Sequence, residues 1–329
     1  MSDLALPVVD EELKQRLVAR MAEVEDELRR HTVASTDFVT EAAQHLLAAG
    51  GKRFRPLMVL LAAETGDPLG DGVVTSACVV ELTHLASLYH DDVMDEAAVR
   101  RGADSANARW DNLLAILTGD FLFAKSSELT AELGPDAVRI QAQTFGRLVE
   151  GQILETAGPA EGQDALEHYL RVIAGKTGSL IATSALYGAR FARAPREVEE
   201  ALAAYGERIG AAFQLSDDIL DVASESEESG KTPGTDLREG VLTLPMLLAL
   251  RSEDPADDRL KSLLGRPLPD DAEHAEALSL LRAHPAMDQA RAYVATEAQA
   301  ARDLLQVVPN EGVREALDRF AVVLTERSA

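Results

Sequence analysis

Apolar residues recur at three- and four-residue spacing along most of this chain, which is the period of a helix with one buried face. Runs of Val, Ile and Thr that alternate with polar residues, the pattern of a half-buried strand, are missing. The first helical pattern spans Asp10 to Arg30 and predicts a peripheral N-terminal helix within residues 1–34. Its apolar positions are Leu13, Leu17, Met21, Val24 and Leu28. The pattern predicts an all-α fold.

Turn residues and helix caps divide the rest of the pattern into further helices. Ser35 or Thr36 is the N-cap candidate of a helix that ends at Gly50-Gly51. Later helices are expected at about 57–63, 73–95, 113–133, 136–156, 165–173 and 313–324, with another opening at Leu244-Pro245. Because no stretch has the character of a linker between independent cores, we predict a single domain over residues 1–329.

Composition supports this fold class and limits the function. Of the 329 residues, 46% are hydrophobic but only 4% are aromatic, a balance typical of packed helices. Lys and Arg number 32 against 56 Asp and Glu, and the net charge of −24 argues against binding to nucleic acid or anionic membrane surfaces. The single cysteine, Cys78, excludes an intramolecular disulfide, and no signal peptide or transmembrane stretch is visible. We therefore expect a cytoplasmic protein.

Three aspartates end the long helical pattern of residues 73–95. Asp91 and Asp95 are one turn apart, so both carboxylates leave the same face of the helix and repel each other. Hard oxygen ligands without a cysteine or paired histidines nearby favour magnesium or manganese. In so acidic a chain, a solvated surface face is the alternative interpretation.

A second copy of the same spacing strengthens the metal interpretation. Asp217, Asp218 and Asp221 again follow an apolar helical pattern, and their neighbours are mostly apolar. Carboxylates within apolar surface are costly to bury without a counter-charge. Two such clusters favour a shared site for polyvalent cations.

A basic cluster follows the double glycine. Lys52, Arg53 and Arg55 precede or flank Pro56, which suits the first turn of the next helix. Side-chain charge, free backbone donors and the helix dipole together indicate an anion site. A solvated basic loop is the alternative, but the scarcity of cations elsewhere favours the anion site.

Three further segments interrupt the apolar pattern. Gly151-Gln152-Ile153-Leu154-Glu155 places polar residues on an apolar helix, and Gly175-Lys176-Thr177-Gly178 breaks another. That break is either a kink that lines a cavity or a plain junction between helices. Residues 224–240 are acidic, rich in Ser and Gly, and directly follow the second aspartate motif, so they form a candidate active-site lid.

Five motifs in this order resemble those of the trans-isoprenyl diphosphate synthases, or polyprenyl synthetases. They are Gly-Lys-Arg-Phe-Arg-Pro at 51–56, the aspartates at 91–95 with Arg100-Arg101-Gly102 behind them, Gly-Gln-Ile-Leu-Glu at 151–155, Lys-Thr-Gly at 176–178, and Gln-Leu-Ser-Asp-Asp-Ile-Leu-Asp at 214–221. Each motif alone is weak evidence, whereas the ordered set is specific. The resemblance extends from Gly51 to Thr243-Leu244-Pro245 and is closest to the long-chain members.

The resemblance implies an isoprenoid-synthase-type helical bundle around a deep central cavity, in which the two aspartate motifs face each other. Three magnesium ions, with manganese as a possible substitute, would then join the motifs to the diphosphate of an allylic substrate. The implied metal ligands are Asp91, Asp95, Asp217 and Asp221, while Asp92, Asp218 and Glu155 would hold waters or further ligands.

The resemblance also implies two substrates and their binding residues. Lys52, Arg55, His84 and Arg101 would hold isopentenyl diphosphate. Arg100 and Lys231 would contact the allylic diphosphate. The catalytic candidates that line the site of the allylic cation are Lys176, Thr177 and Gln214. Family members usually form homodimers, and we expect the same here.

The residues agree with this chemistry, with one departure. Metals, Arg and Lys stabilise the charge of a departing diphosphate without proton transfer. No Ser-His-Asp or Cys-His base is visible for the proton lost after condensation, which fits the family's use of the released diphosphate as base. Gly240-Val241 stands where the family commonly has Gly-Lys. Either Arg238 replaces that lysine, or the allylic substrate binds less tightly.

Small residues before the first motif indicate a long-chain product. Ser87 and Ala86 stand fourth and fifth before Asp91, where shorter-chain members typically carry a bulky aromatic floor. A geranylgeranyl or farnesyl product is the alternative, and a floor formed by Phe121, Phe123 or a partner subunit would favour it.

Two other classes remain as alternatives at this point. A terpene cyclase of the same fold should carry an Asn/Ser/Glu-type second metal motif in place of residues 217–221, and it needs no second diphosphate site. A non-catalytic helical subunit should have lost acids from one motif, whereas all six aspartates are present.

Overall fold

The computed structural model describes residues 10–224 and 233–325. The first helices are α1 (Glu11–His31), α2 (Asp37–Ala48), α3 (Phe54–Ala63) and α4 (Val73–Met94). A short hairpin of β1 (Val99–Arg100) and β2 (Ala103–Asp104) follows. Next come α5 (Ala106–Arg109), α6 (Asn112–Glu132), α7 (Pro135–Ala157) and α8 (Ala165–Ile173).

A π-helical turn, Ala174–Gly178, joins α8 to α9 (Ser179–Phe191), and α10 (Arg196–Ala223) follows. The remaining helices are α11 (Thr235–Glu239), α12 (Leu244–Leu250), α13 (Asp258–Leu263), α14 (Asp271–Ala283), α15 (Ala286–Asp303) and α16 (Glu311–Thr325). Short 3-10 turns lie at Pro255–Asp257 and Leu304–Val307. The predicted all-α class is confirmed, and within the described residues the hairpin holds the only strands.

The helix boundaries largely follow the sequence signals. Thr36 is the N-cap of α2, and its side chain accepts a hydrogen bond from the backbone of Val39. Most boundaries lie within two residues of the prediction, and the largest difference is that α3 begins at Phe54 rather than at Leu57, so Arg55 lies in its first turn. Pro56 is tolerated there because the first turn of a helix leaves backbone N–H groups without helical partners.

Contacts divide the chain into two compact units. The first unit takes the residues up to Gly146, then Leu180–Gly206 and Leu305–Leu317. The second unit takes Arg147–Ser179, Glu207–Leu304 and the residues from Asp318 onward. The first aspartate motif and the basic cluster belong to the first unit, whereas the second aspartate motif and the lysine–threonine turn belong to the second.

In the first unit, α4 packs against three other helices, α1, α3 and α6. Thirteen of its 22 residues are buried, so it is enclosed on nearly all sides rather than on one stripe. The predicted amphipathic face of α1 is also buried, through Leu13, Leu17, Met21, Val24 and Leu28. The first aspartate motif therefore stands at the C-terminal end of a helix that is fixed by packing.

In the second unit, α10 presents one face to a continuous apolar core. Ala212, Leu215, Ile219 and Val222 pack in one cluster with residues of α12, α14 and α15. The aspartates at 217, 218 and 221 lie between these positions in sequence, so the core that buries Leu215 and Ile219 also fixes the orientation of the motif.

Candidate active site

The first aspartate motif combines a buried carboxylate with two more accessible ones. Asp92 is fully buried, and Arg100 binds its Oδ1 at 2.5 Å. Burial raises the pKa of Asp92, and the hydrogen bond from Arg100 opposes that shift. The second oxygen of Asp92 is buried without a hydrogen-bond partner. Asp91 is half-buried in the last turn of α4, and Asp95 is its exposed C-cap.

The hairpin after this motif returns two arginines toward the motif and toward α2. Arg101 and Gly102 both have positive φ, 54° and 77°, as the two central residues of a type I′ turn require. Arg100 therefore pairs with Asp92, while Arg101 donates to the carbonyls of Leu46, at 3.0 Å, and of Gly50. The sequence did not indicate this hairpin, because two-residue strands carry no readable alternation.

One arginine of the basic cluster has a hydrogen-bond donor that the described residues do not satisfy. Arg55 is half-buried, and its Nε has no hydrogen-bond partner among the described residues. Burial lowers the pKa of Arg55 to about 10, with Glu81 opposing and Arg101 reinforcing the shift. Burial also lowers the pKa of Arg101. A bound anion would relieve both the unpaired donor and the crowding of cations.

His84 lies within this cationic environment. Burial, and after it the charges of Arg55 and Arg101, lower the pKa of His84 well below its usual range. The imidazole is therefore neutral at pH 7 and offers one donor and one acceptor. The structure thus brings together Arg55, His84 and Arg101 of the predicted isopentenyl site, while Lys52 is exposed on the adjoining loop.

The second aspartate motif also contains one buried carboxylate. Asp218 is 6% exposed; the hydroxyl of Tyr169 donates to its Oδ2, and the amide of Gln214 donates to its Oδ1 at 3.0 Å. Burial raises the pKa of Asp218 to about 6, and the hydrogen bonds from Tyr169 and Gln214 oppose the shift. Asp217 is exposed one position earlier on α10.

The catalytic candidates of the second unit lie close to this motif. The Thr177 hydroxyl donates to the Gln214 amide oxygen at 3.4 Å, and Gln214 in turn holds Asp218. Lys176 binds Glu155 of α7 at 2.5 Å. Residues predicted from three separate motifs, at 155, 176–177 and 214–218, are therefore connected by hydrogen bonds within one unit.

Two glycines explain how α7 and the π-helical turn come so close. A Cβ atom at Gly151 would lie 2.6 Å from the backbone nitrogen of Lys176, and one at Gly175 would lie 2.8 Å from the carbonyl oxygen of Arg147. Only glycine permits this approach, which places Glu155 beside Lys176. The break predicted at 175–178 is thus a π-helical turn, a feature frequent at functional sites.

Asp221 contacts the start of the segment that follows the motif. Its carboxylate accepts hydrogen bonds from the backbone of Thr235 and Asp236, each at 3.1 Å, and its carbonyl accepts one from Gly234 at 2.7 Å. The described end of the candidate lid, 233–240, is therefore attached to the second aspartate motif. Lys231 and the rest of that segment, 225–232, lie outside the described residues.

The position that departs from the family pattern has defined surroundings. Val241 is 48% exposed, and the proposed substitute Arg238 binds Asp271 of α14 at 2.9 Å. Arg238 also lies 3.5 Å from the carbonyl of Pro269. Its guanidinium therefore already has an acidic partner in the second unit.

The donor set fits magnesium bound together with a phosphate-bearing substrate. Within the described part of the chain, no three acidic, histidine or cysteine side chains gather as a ready metal cage. Each motif instead offers carboxylates one turn apart. Magnesium is usually held by one or two carboxylates plus waters and substrate phosphates rather than by an all-protein cage.

Sequence reasoning missed Tyr169, and it missed the pairing of Glu81 with Arg53. Tyr169 lies 49 residues before the carboxylate it binds, and Glu81 is a buried acid on α4 that pairs with Arg53 at 3.1 Å. Neither residue belongs to a recognised motif. Glu81 carried one signal, an acid in an otherwise apolar helix, whereas the sequence holds none for Tyr169.

The polyprenyl synthetase family matches residues 36–281, so the chain belongs to this family. The nonaprenyl diphosphate synthase of Mycobacterium tuberculosis is 51% identical over 302 residues, which are 91% of this chain and 89% of that protein. The predicted enzyme class, a trans-prenyltransferase, is confirmed, and the cyclase and non-catalytic alternatives are not favoured.

Solved structures share the fold over nearly the whole chain. Geranylgeranyl pyrophosphate synthase from Corynebacterium glutamicum, complexed with calcium and isoprenyl diphosphate, has a TM-score of 0.89 at 45% identity and covers 98% of this chain and 99% of its own. A decaprenyl diphosphate synthase from Rhodobacter capsulatus has a TM-score of 0.88 at 34% identity, covering 97% and 99%. The helical isoprenoid synthase fold is confirmed, while the predicted domain boundaries stay a prediction.

Among the described helices, none is long and apolar enough to cross a bilayer.

Replacing Tyr169 by Phe tests the buried carboxylate of the second motif. The change removes a donor from Asp218 without changing the packing, so we expect the free energy of unfolding to fall by about 1–3 kcal/mol. Urea denaturation measures this loss. Tyr293→Phe, on α15 of the same unit, is the control and should change stability by less than about 0.5 kcal/mol. Equal effects of the two changes would show that Tyr169 has no special role.

Proposed function

We propose that this chain condenses isopentenyl diphosphate with an allylic prenyl diphosphate, in a magnesium-dependent head-to-tail 1′-4 elongation, to give a long-chain all-trans polyprenyl diphosphate. The observation that carries the proposal is the pairing of two chemistries in one chain. Two carboxylate motifs provide metal ligands, and the cluster of Arg55, His84 and Arg101 has an unpaired donor that an anion would satisfy. A metal-binding bundle has no use for the second feature.

Four aspartates are proposed to hold the metal: Asp91, Asp95, Asp217 and Asp221. Bound magnesium, three ions per site by family expectation and replaceable by manganese, supplies Lewis-acid stabilisation of the charge on the leaving diphosphate. Asp92 and Asp218 are buried beside these positions and are bound by Arg100 and by Tyr169 with Gln214. We propose that these two buried carboxylates orient the helix face that carries each motif.

The positively charged residues divide between two diphosphates. Lys52, Arg55 and Arg101 hold isopentenyl diphosphate, and neutral His84 donates a hydrogen bond to it, because the imidazole is not protonated at pH 7. Arg100 and Lys231 are assigned to the allylic diphosphate. Arg100 is positioned for this role because its Nε and Nη2 both contact Asp92, which leaves Nη1 for a ligand.

Residues of the second unit are assigned to the allylic cation. The Thr177 hydroxyl and the Gln214 amide oxygen lie 3.4 Å apart, and oxygen atoms of this kind stabilise a positive charge electrostatically. Lys176 is held by Glu155, so its charge is compensated. The released diphosphate takes the final proton, since no other base is assigned. Water must be excluded, because it would convert the cation to an alcohol.

A long-chain product is favoured by the small side chains before Asp91. Ala86 is fully buried and Ser87 half-buried on α4, and neither provides a bulky floor. Phe123 packs against His90 and Phe145, with ring centroids 5.6 and 4.5 Å away, and is the aromatic residue beside α4 that would favour a shorter product if it formed a floor. Relatives include nonaprenyl, octaprenyl and geranylgeranyl synthases, and a geranylgeranyl or farnesyl product is the second candidate.

The assembly is proposed to be a homodimer in the cytoplasm. Leu113, Ile116 and Leu117 form an exposed apolar face on α6, with 67%, 41% and 53% of each side chain accessible. A second copy of the chain would cover that face. Light scattering should give twice the chain mass for the native protein and a lower mass for Leu117→Glu. A monomeric native protein would refute the dimer.

Incubation with magnesium, labelled isopentenyl diphosphate and farnesyl diphosphate tests the reaction. We expect elongated, acyclic diphosphates that carry several labelled units, and no product when the metal is removed by chelation. Cyclic hydrocarbons without label would indicate a terpene cyclase instead. Absence of any product with every allylic primer would indicate a non-catalytic subunit.

Replacing Ser87 by Phe tests the assignment of product length. An aromatic ring one turn before Asp91 should shorten the product to about twenty carbons or fewer, because it fills the space of the growing tail, as large side chains do in binding pockets. Chromatography of the dephosphorylated products measures this. Ser279→Phe, at an exposed position of α14, is the control and should leave the length unchanged. Unaltered products from Ser87→Phe would mean that this face of α4 does not contact the tail.

A further inference from the structure

Arg53 is the residue of the basic cluster to which no substrate has been assigned. It lies between Lys52 and Arg55, directly before α3, and its backbone is left-handed with φ of 49°. For a residue other than glycine this conformation is unfavourable, and it persists only where the surroundings enforce it. Arg53 is also 6% exposed, so its charge is removed from water.

Four contacts hold the guanidinium of Arg53. Its Nε donates to Glu25 of α1 at 2.5 Å, and its Nη1 donates to Glu81 of α4 at 3.1 Å. The same side chain donates to the carbonyl of Gly50 at 3.2 Å and to that of Leu47 at 2.9 Å. One side chain therefore connects α1, α4, the end of α2 and the turn that carries the substrate cations.

The contacts distinguish Arg53 from its neighbour Arg55. Glu25 and Glu81 compensate the charge of Arg53, and Glu81 is itself only 1% exposed. Arg55 has a buried Nε without a partner. The protein therefore satisfies the guanidinium of Arg53, whereas that of Arg55 retains a donor for a ligand.

We infer that Arg53 is a positioning residue. It holds the Gly50–Arg55 turn in the shape that presents Lys52 and Arg55 to isopentenyl diphosphate. Through Glu25, the N-terminal helix α1 becomes part of this site. The inference rests on the proposed function. Glu81 stands one turn before His84 on α4, so Arg53 also fixes the turn relative to that histidine. Lysine is not equivalent here, because its ammonium group has no planar fork to reach two carboxylates and two carbonyls together.

Steady-state kinetics of Arg53→Lys and Glu25→Gln test the inference. We expect the KM for isopentenyl diphosphate to rise about 10-fold or more in Arg53→Lys and several-fold in Glu25→Gln, while the KM for the allylic substrate and kcat change less than about 3-fold. A general loss of structure would lower kcat and raise both KM values. Glu25→Gln retains the contacts of Arg53 with Glu81 and with the backbone, so this variant still tests the inference if Arg53→Lys fails to fold.

Arg16→Met is the matched control, because Arg16 forms another ion pair of α1, with Glu64 at 2.9 Å, away from the Gly50–Arg55 turn. It should leave both KM values unchanged. The same rise in KM for Arg16→Met and Arg53→Lys would overturn the inference, as would an unchanged KM for isopentenyl diphosphate in both Arg53→Lys and Glu25→Gln.

Calorimetric titration with isopentenyl diphosphate separates this inference from the proposed function. If the native protein binds the compound and Arg53→Lys binds it at least 10-fold more weakly, the inference stands even if no elongation is observed. If the native protein elongates and binds normally but Arg53→Lys binds equally well, the inference fails while the proposed function stands. If the native protein does not bind it, both the isopentenyl site and the role of Arg53 are refuted.

Discussion

The structure depends on charges that are held in apolar surroundings and are only partly compensated by the protein. Carboxylates at the ends of packed helices and guanidinium groups beside a neutral histidine are costly to bury. The protein offsets this cost for some of them with specific partners, such as Arg100 for Asp92. For others, such as the Nε of Arg55, it provides no partner among the described residues. We assign a diphosphate ligand to this unpaired donor of Arg55.

In both aspartate motifs, one carboxylate is buried and held by other side chains, while the others are more exposed. Asp92 and Asp218, the second aspartate of each motif, are buried and bound by other side chains. Asp95 and Asp217 are exposed. Asp221 is intermediate, since its carboxylate accepts two backbone hydrogen bonds from the segment that follows. A motif built this way fixes the helix face with one carboxylate and leaves other carboxylates accessible to metal ions.

Much of the fold was readable from the sequence, because amphipathic periodicity reports helices directly. The buried face of α1 is the one that the pattern predicted, and Thr36, one of the two predicted candidates, caps α2. The same periodicity could not show the hairpin after Asp95, whose strands have two residues each. It placed the start of α3 too late because Pro56 is a strong signal for a first turn, although a proline also fits slightly deeper in that turn.

The sequence predicted the residues of the candidate site that belong to motifs, but not the residues that support them. The family resemblance implied Gln214 and Thr177, and the repeated spacing identified Asp218; the structure connects the three by hydrogen bonds within one unit. The residues that support the motifs come from distant parts of the chain, and a single sequence carries no signal for such contacts. Tyr169 beside Asp218 and Glu25 beside Arg53 are the examples.

The proposed function requires both aspartate motifs for the same metal–diphosphate complex, and a double-mutant cycle with Asp91→Asn and Asp217→Asn tests this requirement most directly. The measured quantity is kcat/KM for the allylic substrate at saturating magnesium. We predict that each change lowers it by about 100-fold or more and that the double variant is little worse than either single variant, because both remove the same bound complex. The account would be contradicted if the loss of kcat/KM in the double variant equalled the product of the two single losses. It would also be contradicted if either single variant kept the native kcat/KM.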